Sequence, residues 1–184
     1  FYEHTMLSQS FEFLVIRHAS SIGNIIQESS WMGSIEKSIY DRYQDPEVFW
    51  DKWQSQYIYF PQCVVNFAKE NKVEDTLAIT VSELRRTWMT AIIFAKYCGI
   101  ETIELFIDKQ WNEIGAGKDN RPLNNTDCSK KKVILFSNLF HVNVIFNQDN
   151  SPPTPPPSVV ISHGAKMRTL PGIDTIDQNL THRT

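Results

Sequence analysis

Four stretches of the chain are short, apolar and rich in β-branched or aromatic residues, and each is bounded by polar or small residues. FEFLVI (Phe11–Ile16), TLAITVS (Thr76–Ser82), TIELFI (Thr102–Ile107) and SVVISH (Ser158–His163) read as strands. Between them the apolar period changes. Leu84, Trp88, Ala91, Ile92 and Ala95 recur at helical spacing, predicting a helix over Glu83–Tyr97 that stops at Gly99. Further helices are expected at Pro61–Asn71, at Pro46–Trp53 behind a helix-starting proline, and from Ser20 to Gln27. Lys132–Phe146 is two-sided. Val133, Phe136, Phe140 and Val144 suit a helix, its β-branched content suits a strand, and its length favours the helix. SPPTPPPS is a stiff, extended loop, and GAKMRTL reads as a helix halted by Pro171. Strands alternating with helices predict an α/β fold, a three-layer α/β/α sandwich on a mostly parallel central sheet.

Length and composition narrow this little further. The 184 residues, 41% hydrophobic and 21% charged, suit one soluble domain spanning 1–184. A net charge of −3 gives no reason to expect nucleic acid or an anionic membrane as partner. The most apolar run, KKKVILFSNLFHVNVIF, is too short and too interrupted to span a bilayer. The opening FYEHTMLSQS lacks the apolar core of a signal peptide. Cys63, Cys98 and Cys128 form neither a zinc-binding pattern nor a disulfide framework, so free thiols in a reducing compartment, the cytoplasm, are expected. The sequons at Asn124 and Asn179 are then chance matches, and Lys130–Lys132 reads as a solvated face.

The strand ends carry the chemistry. The first strand runs into Arg17 and His18, the second delivers Arg85 and Arg86 just beyond its end, and the last runs into His163. In a parallel sheet these ends lie along one edge, where open α/β folds bind their ligands. Arginine's planar fork suits phosphate oxygens, and a neutral imidazole nitrogen is a competent nucleophile near neutral pH. Arginines and histidines converging on one crevice point to phosphoryl transfer. Nothing along the sequence shows metal-ligand spacing, and no metal or other cofactor is expected.

LVIRHASSIGN resembles the arginine-histidine-glycine signature of the histidine phosphatase superfamily, the phosphoglycerate-mutase-like group. SELRRTWMTA is similar to that family's second signature, S-x-L-x-R-x-x-x-T-A, through Ser82, Leu84, Arg86, Thr90 and Ala91. VVISHGAKMR resembles its third through Ser162, His163, Gly164 and Arg168. The three stand in the family's order. The resemblance implies that His18 is the nucleophile and becomes a phosphohistidine. It implies that Arg17, Arg86 and His163 bind the phosphoryl group, with Ser21, Asn24 and Gly164 lining the phosphate pocket. QWNEIGAG resembles the segment that carries the proton donor, which makes Glu113 the donor, held protonated by a raised pKa; Asp108 and Glu104 are its rivals.

The expected activity is hydrolysis of a phosphate monoester, on a small molecule or a phosphoprotein. The runner-up is a non-catalytic phosphate-binding or regulatory protein on the same fold. A phosphoglycerate mutase ranks below both, because little chain between Glu113 and His163 is left to cover the pocket and keep water out. Trp31–Tyr59 is the one candidate cover. The chain departs from the family at Ala19, which stands where a glycine usually follows the nucleophile. Two other matches fail on mechanism. GAGKD lacks the first glycine and the final hydroxyl of a P-loop, and VISHG lacks the first glycine of a nucleophile elbow, leaving a Ser162 hydrolase remote.

Overall fold

The computed structural model describes residues 14–21, 48, 58–113, 127–147 and 157–170. Five strands, β1 (Leu14–Arg17), β2 (Thr76–Val81), β3 (Thr102–Ile107), β4 (Asn143–Phe146) and β5 (Val159–Ser162), form one sheet in the order β1-β5-β2-β3-β4. All four pairings are parallel, so the α/β sandwich expected from the alternating pattern has a sheet that is parallel throughout. The helices are α1 (Gln62–Asn71), α2 (Arg85–Cys98), α3 (Asp127–Phe140) and the single turn α4 (Gly164–Met167). Among the described residues, no helix is long and apolar enough to cross a membrane.

Register explains the core. Leu14 pairs with Val159, Val159 with Ile79, Ile79 with Leu105 and Leu105 with Phe146, so one row of apolar side chains crosses all five strands on one face. Ile16, Ile161, Val81 and Ile107 form a second row on that face. Both rows join a single core with α1, α2 and α3. Helix α2 lies between α1 and α3 and packs on β2, β3 and β5. Its residues from Arg86 to Ala95 are all buried, which is why its sequence is apolar nearly all round. It ends where Gly99 takes φ 70°, and the Ile100 N–H then bonds to Ala95 O at 2.9 Å.

Two sequence expectations change. Lys132–Phe146 is not one helix. Helix α3 ends at Phe140, His141 adopts φ 56°, the Val142 N–H returns to Ser137 O, and the chain continues as β4. Helical spacing holds through Val133, Ser137 and Phe140, which are buried; beyond them Val144 and Phe146 follow the two-residue period of a strand beside β3. Both signals in that stretch were real, and they belong to consecutive elements. Of the helix expected from Ser20 to Gln27 only Ser20 and Ser21 are described, the rest lying outside the described residues; Ser21 forms an antiparallel bridge to Val48, which is the one described residue of the helix expected at Pro46–Trp53. The helix expected over Gly164–Leu170 is one turn, continued by tighter turns to Leu170. Apart from the start of β1, where residues 11–13 lie outside the described residues, the remaining expected boundaries that can be compared agree within two residues, with Pro61 at the N-terminus of α1 and its carbonyl accepting from Val64 and Val65.

Candidate functional site

The order of the strands builds the site. The chain passes from β1 to β2, outward through β3 and β4, and then returns to insert β5 between β1 and β2. Arg17 pairs with Ser162, and the His18 N–H bonds to Ser162 O at 2.9 Å, extending the pairing by one residue. His18 and His163 therefore leave neighbouring strands side by side, with ring centroids 5.1 Å apart and planes at 61°. Ser82 ends β2 on the other side of β5, and the turn from Ser82 to Leu84 starts α2, which carries Arg86 inward.

His18 is buried, and both of its ring nitrogens have partners. Nδ1 lies 2.7 Å from Ala19 O, which can only accept, so Nδ1 carries the proton. Nε2 lies 3.3 Å from the Arg86 Nε–H donor and so presents a lone pair. Burial, then the Arg86 charge, then His163, and last Arg17 hold the His18 pKa well below its ordinary 6.5, against the opposing pull of the Ala19 carbonyl. At neutral pH His18 is an uncharged imidazole whose unprotonated Nε2 accepts from the Arg86 guanidinium.

The loop holding His18 is itself anchored. The Ala19 N–H donates to Thr90 Oγ1 at 2.9 Å, and Thr90 Oγ1–H donates to Arg86 O at 2.7 Å. The Ala19 methyl is fully buried and part of the apolar core, and Ala19 has no positive φ. Glycine is therefore not needed for the backbone at this position.

Glu113 reaches the pocket through a short segment tied down at three points. Asp108 N–H bonds to Val81 O, Ser162 Oγ donates to Trp111 O at 2.8 Å, and the Glu83 N–H donates to Asn112 Oδ1 at 2.9 Å. Those bonds hold the segment against the ends of β2 and β5 and the start of α2. Glu113 Oε2 lies 3.6 Å from an Arg86 terminal nitrogen and 3.3 Å from His163 Nδ1. The second contact is at ion-pair distance, with the carboxylate oxygen facing the ring nitrogen. The rivals are occupied elsewhere: the Asp108 carboxylate accepts from the Gln110 N–H, and Glu104 lies on β3 with its carboxylate 3.4 Å from the Asn147 amide. Ser162 is buried with its hydroxyl committed to Trp111 O, which removes it as a nucleophile.

One electrostatic expectation is reversed. Burial alone would raise the Glu113 carboxyl, but His163, Arg86 and Arg17 outweigh it and hold the carboxyl below its ordinary value. Glu113 is thus ionised in the phosphate-free site, not held protonated. His163 is also lowered, by burial first; the neighbouring Glu113 carboxylate pulls the other way, and Arg86 and Arg17 add to the lowering.

Gly164 opens α4 directly against the Arg17 guanidinium, where an added Cβ would stand 3.0 Å from Arg17 Cζ. Ser21 is buried in its bridge to Val48, and Asn24 lies outside the described residues, as do GAGKD and both sequons. His18, Arg86, Glu113 and His163 are therefore brought into one cluster, with Arg17 against its Gly164 side. Sequence reading also missed a metal-like geometry. His18, Glu113 and His163 each offer a ligand atom, and these lie within 4.8 Å of one another. The charges oppose a cation there, because Arg86 sits on both His18 Nε2 and Glu113 and Arg17 stands nearby. Two supporting residues, Ser82 and Thr87, were passed over for any role in the site, although Ser82 stands in the second motif. Ser82 Oγ is 2.9 Å from His163 Nε2 and 3.1 Å from Thr87 Oγ1. Their signal was burial, which no motif shows. A scan against family models gives no match for this chain, and a search of curated proteins gives none either.

Proposed function

We propose that the protein is a phosphatase of the histidine phosphatase type, hydrolysing phosphate monoesters through a phosphohistidine on His18. The observation that carries the reading is the state of His18: buried and neutral, with Nδ1–H on Ala19 O and an unprotonated Nε2 that accepts from Arg86 Nε at 3.3 Å. A nucleophile needs a lone pair, and a phosphoryl group needs cationic donors where its charge develops. His18 Nε2 supplies the lone pair and Arg86 beside it the cationic donor.

The first step forms a bond from Nε2 to phosphorus and breaks the ester P–O bond, and the leaving oxygen takes a proton from Glu113. Glu113 is ionised before substrate arrives, but a phosphate dianion placed among Arg17, Arg86 and His163 offsets the cations that lower it. The carboxyl pKa then rises, and Glu113 takes up a proton from water, or from a monoester that enters as its monoanion and becomes the dianion. In the second step water attacks phosphorus, the Glu113 carboxylate accepts the water's proton, and His18 leaves with its electron pair.

The test is turnover of p-nitrophenyl phosphate by the wild type and His18→Ala, together with acid-labile, base-stable phosphate label on the wild type alone. Phosphate binding without turnover in the wild type would favour the non-catalytic reading. Turnover retained by His18→Ala, or label on a serine, would reject the mechanism. Interconversion of phosphoglycerates faster than phosphate release would make the protein a mutase.

A further inference from the structure

Glu113 touches two elements at once. Oε2 stands 3.6 Å from Arg86 on α2 and 3.3 Å from His163, which follows β5. Beside each contact a hydrogen bond ties the Glu113 segment to the same element. Asn112, the residue before Glu113, accepts through Oδ1 from the Glu83 N–H at 2.9 Å, just ahead of Arg86. Ser162, the residue before His163, donates from Oγ to Trp111 O at 2.8 Å, just ahead of Glu113. A carbonyl oxygen can only accept and a backbone N–H can only donate, so the direction of both bonds is fixed. Between these anchors runs one tight turn. The Asp108 N–H bonds to Val81 O, the Asp108 carboxylate accepts from the Gln110 N–H, and the Trp111 and Asn112 N–H groups close on Asp108 O and Lys109 O. No residue of the turn Lys109–Trp111 is buried, so packing does little to hold it. Glu113 itself keeps 21% of its side chain exposed, and an ionised carboxylate with water in reach turns outward unless its backbone is fixed.

We propose that Ser162 and Asn112 are positioning residues, a two-point clamp that holds the Glu113 carboxylate against His163 and Arg86. Ser162 sets the carboxylate relative to His163, because both hang from the end of β5. Asn112 sets it relative to Arg86, because the Glu83 N–H belongs to the turn that starts α2. Ser162 is fully buried, so water does not compete for its bond. The consequence for turnover rests on the phosphatase reading. A proton donor must stand within hydrogen-bond reach of the leaving oxygen, and a misplacement of about 1 Å costs on the order of 10²-fold.

The test compares Ser162→Ala and Asn112→Ala with the wild type. On alkyl phosphates each variant is expected to lose kcat on the order of 10²-fold with KM little changed, while p-nitrophenyl phosphate, whose leaving group needs no proton, slows little. In a Glu113→Gln background the same substitutions cost nothing further, because the donor they position is gone. Equal slowing of both substrates, the same loss in the Glu113→Gln background, or a folded variant as fast as wild type on alkyl phosphates overturns the proposal. Asn112→Ala carries the kinetic test if Ser162→Ala does not fold. The clamp is also measurable without activity, from the Glu113 carboxyl carbon in the 13C-labelled full chain, assigned by its loss in Glu113→Gln. At pH 4.5, where an ordinary carboxyl is half protonated, the wild-type signal should be mostly that of the carboxylate, and in the variants it should move to the half-protonated position. A wild-type signal already half protonated overturns the clamp even if neither variant folds. Absence of phosphatase activity with the expected signals would reject the functional reading and leave the clamp standing.

Discussion

Arg86 Nε lies 3.3 Å from His18 Nε2, so the guanidinium rests directly on the lone pair that would attack phosphorus. The same side chain reaches Glu113 at 3.6 Å. Arg86 thus touches the proposed nucleophile and the proposed proton donor together. Removal of one donor aimed at developing transition-state charge costs about 10²–10³ in kcat. Arg86→Ala is expected to lose at least that much. Arg86→Lys should recover only part, because an ammonium lacks the planar fork. Equal activity of Arg86→Lys and wild type on p-nitrophenyl phosphate would remove the arginine from the transition state.

Glu113→Gln keeps the shape of the side chain and removes its proton. General acid catalysis contributes about 10²–10⁴-fold when the leaving group is poor, and little when it is already a good one. Alkyl phosphates should therefore slow far more than p-nitrophenyl phosphate. The same slowing for both would take the donor role from Glu113.

Acid should destabilise the fold from near neutrality downward. His18 and His163 titrate lower in the folded chain than their ordinary 6.5, so below that pH the unfolded chain binds protons that the folded one refuses. Their contribution is whole above pH 6.5 and is lost as pH falls toward their folded values. The lowered Glu113 carboxyl contributes above its ordinary 4.5 and loses that as pH falls through its folded value, adding to the same limb. The urea midpoint of the wild type should drop between pH 6.5 and about 5, and His18→Gln should flatten that slope. A level wild-type midpoint across this range would mean that the histidines titrate normally.

Gly164→Ala tests the seat of Arg17. The new methyl would stand 3.0 Å from Cζ and 3.1 Å from Nε of the guanidinium, so the flexible end of Arg17 must shift. Inhibition by inorganic phosphate should weaken while the thermal midpoint changes little. Unchanged inhibition would show that Arg17 holds phosphate from another position or not at all.

Much of this protein is written in local chemistry. β-Branched runs made β2 and β5 legible because buried parallel strands need apolar side chains on both faces, and β3 showed the alternation of a strand with one buried face. Gly99 marked the end of α2 because the turn there requires a left-handed residue. The motifs brought out Arg17, His18, Arg86, Glu113 and His163, since each residue type is tied to a position at a strand end or in the segment that follows. What remained depends on neighbours far apart in the chain. Only the sheet order, with β5 inserted between β1 and β2, makes His18 and His163 adjacent. The split of Lys132–Phe146 was decided by the open edge of β3, where a strand gains a ladder that a longer helix would forgo. The ionised state of Glu113 follows from the summed field of His163, Arg86 and Arg17. Charge and proton sharing depend on distances of a few ångströms between distant residues, and only the folded chain sets those distances.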